Sequence, residues 1–457
     1  MKIILLIISC VFLSNSSIAQ HSTDNWYFGM NAGLHFPGPT VISGSSLATT
    51  EGCAAISNSA GNILFYTDGI TVWNRNNLVM ANGTGLMGGI SSTQSALIVP
   101  KPGNPNLYFI FTVDEDGGPD GFRYSIVDMT LDGGNGDVTT TNVLILNNVT
   151  EKLTAVQKIN SNDYWILVHE LGTDGFYAYT LDANGLQSTP VISNTGTVHS
   201  NSQIQNTYGQ MKFNPCGTVV ALAIGYQNTI EIFDFDPGSG IVSNPITIPM
   251  TDHVYGIEFA PNSDILYAGC YDPASTLVQF DISSHIATTI INSMVTLSST
   301  PDIYGIQLTN NGDIYVCRSW SSFLGKIDDP DVMGTGCNYI DNGINLDPNS
   351  VGITSGLGLP GFVQSAFKSP EENCILNGIT DSFSSEICIR SNPTNTEFSI
   401  KNMNNFSLII FDELGRIIEE LQTSEIENNF GKNYKPGIYF LKIFNSSKTK
   451  TVRLIKL

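Results

Sequence analysis

Hydrophobic positions in this chain fall in short runs parted by turn formers, and the runs recur in sets of three. Residues 255–282 hold one set. Residues 255–259 are the first run. Ala260-Pro261-Asn262-Ser263-Asp264 then reads as a turn, because Pro presets φ and Asn and Asp bond their own backbone. Residues 265–267 predict a second strand, Asp272-Pro273-Ala274-Ser275 a second turn, and 277–282 a third strand. One such unit leaves a sheet face bare, so it requires copies of itself.

The copies are present. A turn residue, then Asn, Asp or Thr, then three mostly apolar residues begins at Asp24, Gly61, Pro105, Asn162, Gly217, Ser263 and Gly312, a mean period of 48 residues. β-Propeller blades repeat at about 40–50 residues. Third strands end in an apolar residue and Asp, as in Val127-Asp128, Phe233-Asp234 and Phe280-Asp281. Small residues precede the second strands: Ala54-Ala55, Ser95-Ala96, Thr154-Ala155, Gly209, Gly256 and Gly305. They suit an inner strand beside a crowded axis. The expected fold is all-β: a seven-bladed β-propeller over 22–370, closed by N- and C-terminal strands, with a small β-sandwich behind it. Closure is expected from 361–367 pairing with 24–36, which removes exposed sheet edges. Few stretches show a sustained helical period, so helix should be scarce.

Composition adds export and excludes some partners. Residues 1–19 read as a secretory signal: Lys2, the apolar run 3–13, then Ser17-Ile18-Ala19. That run is too short to span a bilayer, and no transmembrane segment is expected. Ile7-Ile8-Ser9-Cys10 weakly matches a lipoprotein box, but cleavage near Ala19 or Gln20 fits better. The net charge of −21 is uneven: residues 21–374 hold 9 basic and 32 acidic residues, while 375–457 hold ten basic and nine acidic. An acidic body repels nucleic acid. It suits a soluble exported surface, with cation binding as the sharper reading. The seven cysteines after the signal are odd in number and fit no zinc spacing. Cys270 and Cys317 read as buried thiols, and Cys337 with Cys374 as a possible disulfide.

After a linker over 371–384, residues 385–457 break the 48-residue pattern. They predict strands at 398–401, 406–412, 416–421, 437–444 and 449–457, enough for the sandwich. This tail resembles the C-terminal sorting domain (type A-like) of type IX secretion cargo from Bacteroidota. The likeness rests on Ser391-Asn392-Pro393-Thr394, Phe411-Asp412-Glu413-Leu414-Gly415-Arg416, the stretch from Tyr434-Lys435-Pro436-Gly437 to Lys442, Lys448-Thr449-Lys450 and the last strand. Ser391 stands where the family usually has Pro. The resemblance implies recognition by the type IX machinery and a body released or fixed at the outer-membrane surface, with signal and tail removed. The body resembles WD40- and lactonase-like seven-bladed propellers joined to such tails. Asn25-Trp26-Tyr27-Phe28-Gly29, Phe65-Tyr66-Thr67-Asp68-Gly69 and Gly358-Leu359-Pro360-Gly361-Phe362 carry that likeness. It implies fold and place, and no activity.

Candidate chemistry is sparse. Asp114, Asp116 and Asp120 share a Gly-rich loop that offers calcium its preferred oxygens, though the spacing is no EF-hand and a solvated hairpin loop explains it as well. His169-Glu170 ends a predicted strand and offers an acid and a base; a hydrogen-bonded strand end is the plainer reading. His199 and His253 precede later inner strands and would matter if they met His169 at one channel mouth. Trp26 and Trp165 fall in second strands and read as core; Trp73 is less constrained, and Trp320 is the best exposed platform for a sugar. Asp68-Gly69 reads as a hairpin turn. The chain holds no GxSxG, HExxH or phosphate-loop motif. The expected function is a surface binding or adhesion protein with a glycan or protein ligand. The alternative is a propeller hydrolase, lactonase-like or glycan-cleaving, with acids and histidines at the mouth.

Overall fold

The computed structural model describes residues 21–272, 274–300, 302–368, 388–390, 396–401, 407–412, 416–422, 427–444 and 449–456. The signal, the linker and Cys374 lie outside them. The chain divides into two compact units, Met1–Cys374 and Ile375–Leu457.

The first unit is a β-propeller. Its antiparallel sheets follow chain order and, after the first, each starts at an inner strand and runs outward. The first sheet has three strands, Asn25–Phe28, Ala32–His35 and Thr40–Val41. Two four-stranded sheets follow, starting at Ala54–Ser57 and Ala96–Pro100; their outer strands meet where Ala81 pairs Asp137 in parallel, beside a bond from Asn82 to Asp137 (2.8 Å). A five-stranded sheet starts at Val149–Gln157. Three four-stranded sheets start at Met211–Phe213, His253–Phe259 and Ile303–Leu308. Every second-strand copy read from the repeat lies in a second strand, except that Asn25–Phe28 leads its own sheet. Among the described residues the one α-helix is Ala287–Asn292.

The core lies between neighbouring sheets. Val219–Ile224 is buried at every position because each of its faces meets another sheet. Trp165, Leu167 and Phe176 pack on Phe213, Val220 and Phe233 of the next sheet. The last sheet meets the first in the same way, with the Trp26 ring 6.0 Å from that of Tyr315. Trp26 and Trp165 are therefore core.

Ring closure differs in detail from the expectation. Residues 361–367 do not form a strand; Gln364–Phe367 is a 3-10 helix. The closing contacts come from the stretch just before. Met30 N–H donates to the Thr354 carbonyl (2.8 Å), Leu357 N–H to Thr50 (2.7 Å) and Gly361 N–H to Cys53 (2.8 Å), while Gly305 N–H donates to Leu357 (3.0 Å). This segment joins the last inner strand to the second sheet. Phe362 still packs on Trp26 at 6.0 Å. Pro360 within the stretch has no N–H to give a regular ladder.

A buried polar knot holds the axis. Lys212, Glu258 and Gln307 take matching places in three successive inner strands. Lys212 Nζ donates to Glu258 Oε2 (2.6 Å), Gln307 Oε1 (2.8 Å) and the Ile306 carbonyl (2.6 Å). Glu258 also accepts from Leu308 N–H (2.8 Å) and Phe259 N–H (3.0 Å). Burial pushes the Lys212 pKa down and the Glu258 pKa up, and their mutual attraction opposes both shifts.

The tail unit has two antiparallel sheets. Cys388–Arg390, Phe398–Lys401 and Glu427–Phe430 form one; Ile417–Gln422, Ser407–Asp412, Gly437–Phe444 and Thr449–Lys456 form the other. Phe398, Ile400, Leu408, Ile410, Phe430 and Leu441 share its core. Burial alternates along Ser407–Asp412, as a one-sided strand requires. In the Phe411-to-Arg416 signature, Asp412 accepts from Arg416 N–H (2.9 Å) and Nε (2.6 Å).

Breaking the axial pair should cost far more than replacing it. Lys212→Ala is expected to lower unfolding stability by about 3–5 kcal/mol, because Glu258 would be left as a buried, unpaired carboxyl. Lys212→Met with Glu258→Leu should recover most of that loss. Urea unfolding of the three proteins checks this; equal losses in single and double variants would contradict it.

Candidate functional site

Antiparallel order puts the first turn of each sheet at one end of the propeller. The second turns, and the crossovers to the next sheet, lie at the other. The loops at 50–53, 88–95, 114–118 and 207–209 all belong to this second end, and side-chain bonds tie them together across four sheets.

Glu51 is the hub. It stands just before the inner strand Ala54–Ser57 and is 8% exposed. Its Oε2 accepts from the Tyr255 hydroxyl (2.6 Å) and its Oε1 from the Ser91 hydroxyl (3.0 Å). Ser91 N–H in turn donates to Glu115 Oε2 (3.0 Å). Glu151, fully buried, accepts from Thr93 N–H (2.8 Å), the Thr93 hydroxyl (2.7 Å) and Asp116 N–H (2.8 Å). Asp116 Oδ1 accepts from the Tyr208 hydroxyl (2.9 Å).

A row of rings runs outward from Glu51. Tyr255 meets Tyr304 edge-on at 5.2 Å, and Tyr304 stacks on Tyr271 at 5.2 Å and 20°. His253 lies 5.5 Å from Tyr271 and stacks on Tyr226 at 4.6 Å. Tyr226 is 47% exposed, and Tyr271 and Tyr304 are half-buried. The row therefore climbs from the axis to solvent.

Glycines bring these groups together. A Cβ on Gly256 would lie 2.1 Å from the Tyr304 carbonyl oxygen, and one on Gly52 2.2 Å from Ser95 N. Only glycine lets adjacent inner strands approach so closely. The residue before each such glycine then points into the mouth: Glu51, Tyr208, Tyr255 and Tyr304 precede Gly52, Gly209, Gly256 and Gly305.

The local electrostatics are unusual. Burial, then the nearby Glu151 and Asp116, push the Glu51 carboxyl up to about 8, against the bonds from Tyr255 and Ser91. Burial likewise raises Glu151 and lowers Lys152, whose Nζ donates to the carbonyls of Thr207 (2.9 Å) and Tyr208 (2.8 Å). Below the mouth the axis is stitched shut. Gln94 Oε1 accepts from Met211 N–H (2.8 Å) and Leu153 N–H (3.2 Å), and Gln210 Oε1 from Ile257 N–H (3.1 Å) and Ile306 N–H (3.2 Å). The cavity among Gln94, Gln210, Lys212 and Gln364 is about 10 Å³, room for roughly one water.

The residues singled out from sequence sort differently. His169 and His199 do meet, stacked at 3.7 Å and 15°, but both are buried and their ring nitrogens have no hydrogen-bond partner. Glu170 is next to His169 on a strand, so it faces the other way; it accepts from Tyr177 OH (3.1 Å) and Thr173 Oγ1 (3.2 Å). The two are thus not arranged as an acid and base. His253 stands in the ring row instead. Asp114 accepts from Glu115 N–H (2.9 Å) and Asp120 N–H (2.9 Å), Asp116 turns to Tyr208, and Asp120 lies 3.8 Å from Arg123. Their carboxylates go to separate partners, and among the described residues no three His, Cys, Asp or Glu gather to hold calcium or another metal. The loop instead carries Glu115 and Asp116 to the mouth. Trp320 is half exposed, with φ +53, a left-handed backbone uncommon for a bulky residue. Trp73 is buried, stacked on Tyr66 at 5.5 Å. Asp68 Oδ1 accepts from Ile70 N–H (2.9 Å) and Thr71 N–H (2.7 Å), as a hairpin turn at Gly69 requires. Cys53, Cys270, Cys317 and Cys337 are free and buried, so no Cys337–Cys374 bridge forms; Cys216 is disulfide-bonded. Cys337 lies instead in the apolar core with Tyr267 and Leu324.

Glu51, Tyr208, Tyr255, Tyr271 and Tyr304 escaped the sequence reading. The signal was there: Tyr-Gly precedes the inner strand Met211–Phe213 and recurs within the next two, His253–Phe259 and Ile303–Leu308, and Glu-Gly precedes Ala54–Ser57.

Comparison with known proteins settles the tail. The secretion system C-terminal sorting domain family matches residues 391–457. No curated protein matches the chain. Among solved structures, a candidate 6-phosphogluconolactonase from Bacteroides fragilis is 12% identical, with TM-score 0.48, over 74% of this chain and 97% of its own. PorZ, an essential surface component of the type IX secretion system of Porphyromonas gingivalis, is 12% identical with TM-score 0.37. That match spans 96% of this chain but 59% of PorZ. A β-propeller domain from Myceliophteria thermophila is 13% identical, with TM-score 0.35, over 78% of this chain and 96% of that one. These likenesses are too remote to bring a substrate with them. The sorting domain makes the chain type IX secretion cargo, exported to the cell surface or beyond it. Among the described residues no helix is long and apolar enough to cross a membrane.

The histidine stack predicts acid sensitivity. An unfolded imidazole takes up a proton near pH 6.5, whereas burial and the Lys152 charge hold folded His169 near 3 and His199 well below its usual value. Their neutral packing thus stabilises the fold above about pH 6.5. That stability drains away as pH falls toward 3, by up to ~1.4 kcal/mol per pH unit per ring. His199→Phe should flatten the acid limb of urea-unfolding stability between pH 7 and 4; an unchanged limb would mean the rings are not held neutral.

Proposed function

We propose that this exported chain is a seven-bladed propeller acting as a binding module at the cell surface, and that a glycan is its ligand. The observation that carries the reading is the Tyr255 hydroxyl on Glu51, with Tyr208 on neighbouring Asp116 and with Tyr304, Tyr271 and Tyr226 extending the ring row to solvent. Sugars present flat C–H faces that stack on such rings and hydroxyls that bond carboxyl groups. Loops on a rigid scaffold are where recognition is usually built. Trp320, exposed on a second-turn loop of the last sheet, offers a separate aromatic contact.

A second reading is favoured by one feature. A carboxyl held near 8 keeps its proton at neutral pH and can serve as a general acid, which a lactonase-like or glycan-cleaving hydrolase would use. Glu51 would then be the acid, in place of His169 and Glu170.

An array of glycans and polysaccharides probed with the purified protein separates these readings. Saturable retention on a defined sugar is expected, weakened about tenfold or more by Tyr271→Ala or Tyr304→Ala. Time-dependent release of shortened or ring-opened product would favour the hydrolase. Retention unaffected by either tyrosine change would move the site away from the mouth.

A further inference from the structure

The mouth gathers the acidic side chains Glu51, Glu115, Asp116 and Asp272, and among the described residues no Lys or Arg forms an ion pair with any of them. Glu51, Glu115 and Asp116 are tied together through Ser91, Tyr208 and Glu151, and exposed Asp272 lies beyond Tyr271. The ion pairs of Lys and Arg among the described residues engage Asp120, Glu258, Asp313, Asp328 and Asp412, and none of them reaches Glu51, Glu115, Asp116 or Asp272. Lys152, next to Glu151 in the chain, spends its ammonium on two backbone carbonyls. Asp272 has only His253, at 3.9 Å. Beside Glu51, Gly52 N–H donates to the Ser92 carbonyl (3.0 Å), and the fully buried Ser92 hydroxyl has no partner.

A bare metal ion does not fit, since among the described residues no three His, Cys, Asp or Glu gather to hold one. An organic cation does. The faces of Tyr271, Tyr304 and Tyr226 attract an ammonium through their ring quadrupoles, an effect metal sites rarely use. A neutral sugar would strip water from these carboxyl groups and return no counter-charge.

We propose that the mouth around Glu51 binds a primary ammonium group carried on an amino sugar. This rests on the reading of the mouth as the glycan site and narrows its ligand. Binding has a chemical consequence. The groups acting on Glu51 and its tyrosines are Glu151, Asp116, Asp272, Asp302, Tyr208, Tyr226, Tyr255, Tyr271, Tyr304 and the Cys317 thiol; the basic ring of His253 also faces Tyr271 and Tyr226, and Ser91 and Thr93 add only neutral hydroxyls. Glu51 holds its proton in the free protein, and an ammonium beside it favours the carboxylate. The acid O–H bond breaks, the carboxylate pairs with the ammonium, and one proton passes to buffer.

The test is calorimetry on the full chain at about 150 mM salt, where general attraction to the acidic body is screened. Three probes are compared: a glucosamine hexasaccharide, its fully N-acetylated counterpart and 1,6-diaminohexane. The glucosamine hexasaccharide is expected to bind at least about tenfold more tightly than the acetylated one. Its heat should vary with buffer ionisation enthalpy in the sense of proton release. Glu51→Gln and Tyr271→Ala should each weaken it at least about tenfold. Asp132→Asn, which removes one exposed negative charge at the opposite end of its sheet, should not. Equal binding of the acetylated sugar overturns the ammonium claim and leaves the mouth as a glycan site. Equal weakening by Asp132→Asn overturns it in favour of non-specific attraction. Binding of diaminohexane alone retains the ammonium and overturns the sugar as its source, and binding of none of the three overturns both readings.

Discussion

The propeller depends on how its inner strands are held at the axis. The inner edges of the sheets cannot meet at a point; they need small residues to approach and polar groups to fill what remains. Lys212 does the second task for three sheets, giving all its donors to Glu258, Gln307 and the Ile306 carbonyl. Gln94 and Gln210 extend the stitching to the neighbouring strands. Because these groups are buried, each is satisfied only at one spacing. The axis is therefore stiff as well as closed, and the loops above it inherit that stiffness.

That stiffness is what makes the mouth possible. The glycines that admit close strand approach also place their preceding residues over the axis. The Glu51 carboxyl thus meets the Tyr255 hydroxyl at 2.6 Å, with the Tyr304 ring packed on Tyr255 and the Tyr208 hydroxyl on Asp116. The fold gains little from them: Glu51 sits beside two other acids, and its burial is unfavourable for the ionised form. Such a group is more easily explained by what it binds than by what it stabilises. The tail is a different kind of object. Its two sheets share a core of their own, and Asp412 and Arg416 are bonded to each other across its signature.

The repeat was legible because it is dictated by burial. Second strands meet neighbours on both faces, so they are apolar throughout, and turns must carry Pro, Asn, Asp or Gly. The tail strands 398–401 and 437–444 were legible for the same reason. Closure was not: residues 354–361 work through isolated backbone bonds that leave no apolar rhythm, and the strand Glu427–Phe430 is polar and set by its partner Phe398–Lys401. Cys337 looked available for a bridge because sequence does not show that it packs beside Tyr267. At the site, the acidic loop 114–120 drew attention for calcium and proved to serve the mouth through Glu115 and Asp116. His169 and His199 did come together, but inside the core. Glu51 was overlooked because a lone acid before a strand resembles a turn residue until its partners from other sheets are known.

The central claim is that Glu51 is kept for binding and at some cost to folding. An unfolded glutamate loses its proton near pH 4.5, while folded Glu51 keeps it to about 8, so the penalty grows as pH rises through that window, to an order of a few kcal/mol. The direct measurement is the unfolding free energy of Glu51→Gln against the unsubstituted protein at pH 5 and pH 8. The account predicts that the variant gains relative stability as pH rises and is at least as stable at pH 8. A variant less stable by the same amount at both pH values would contradict it, and would make Glu51 a structural residue.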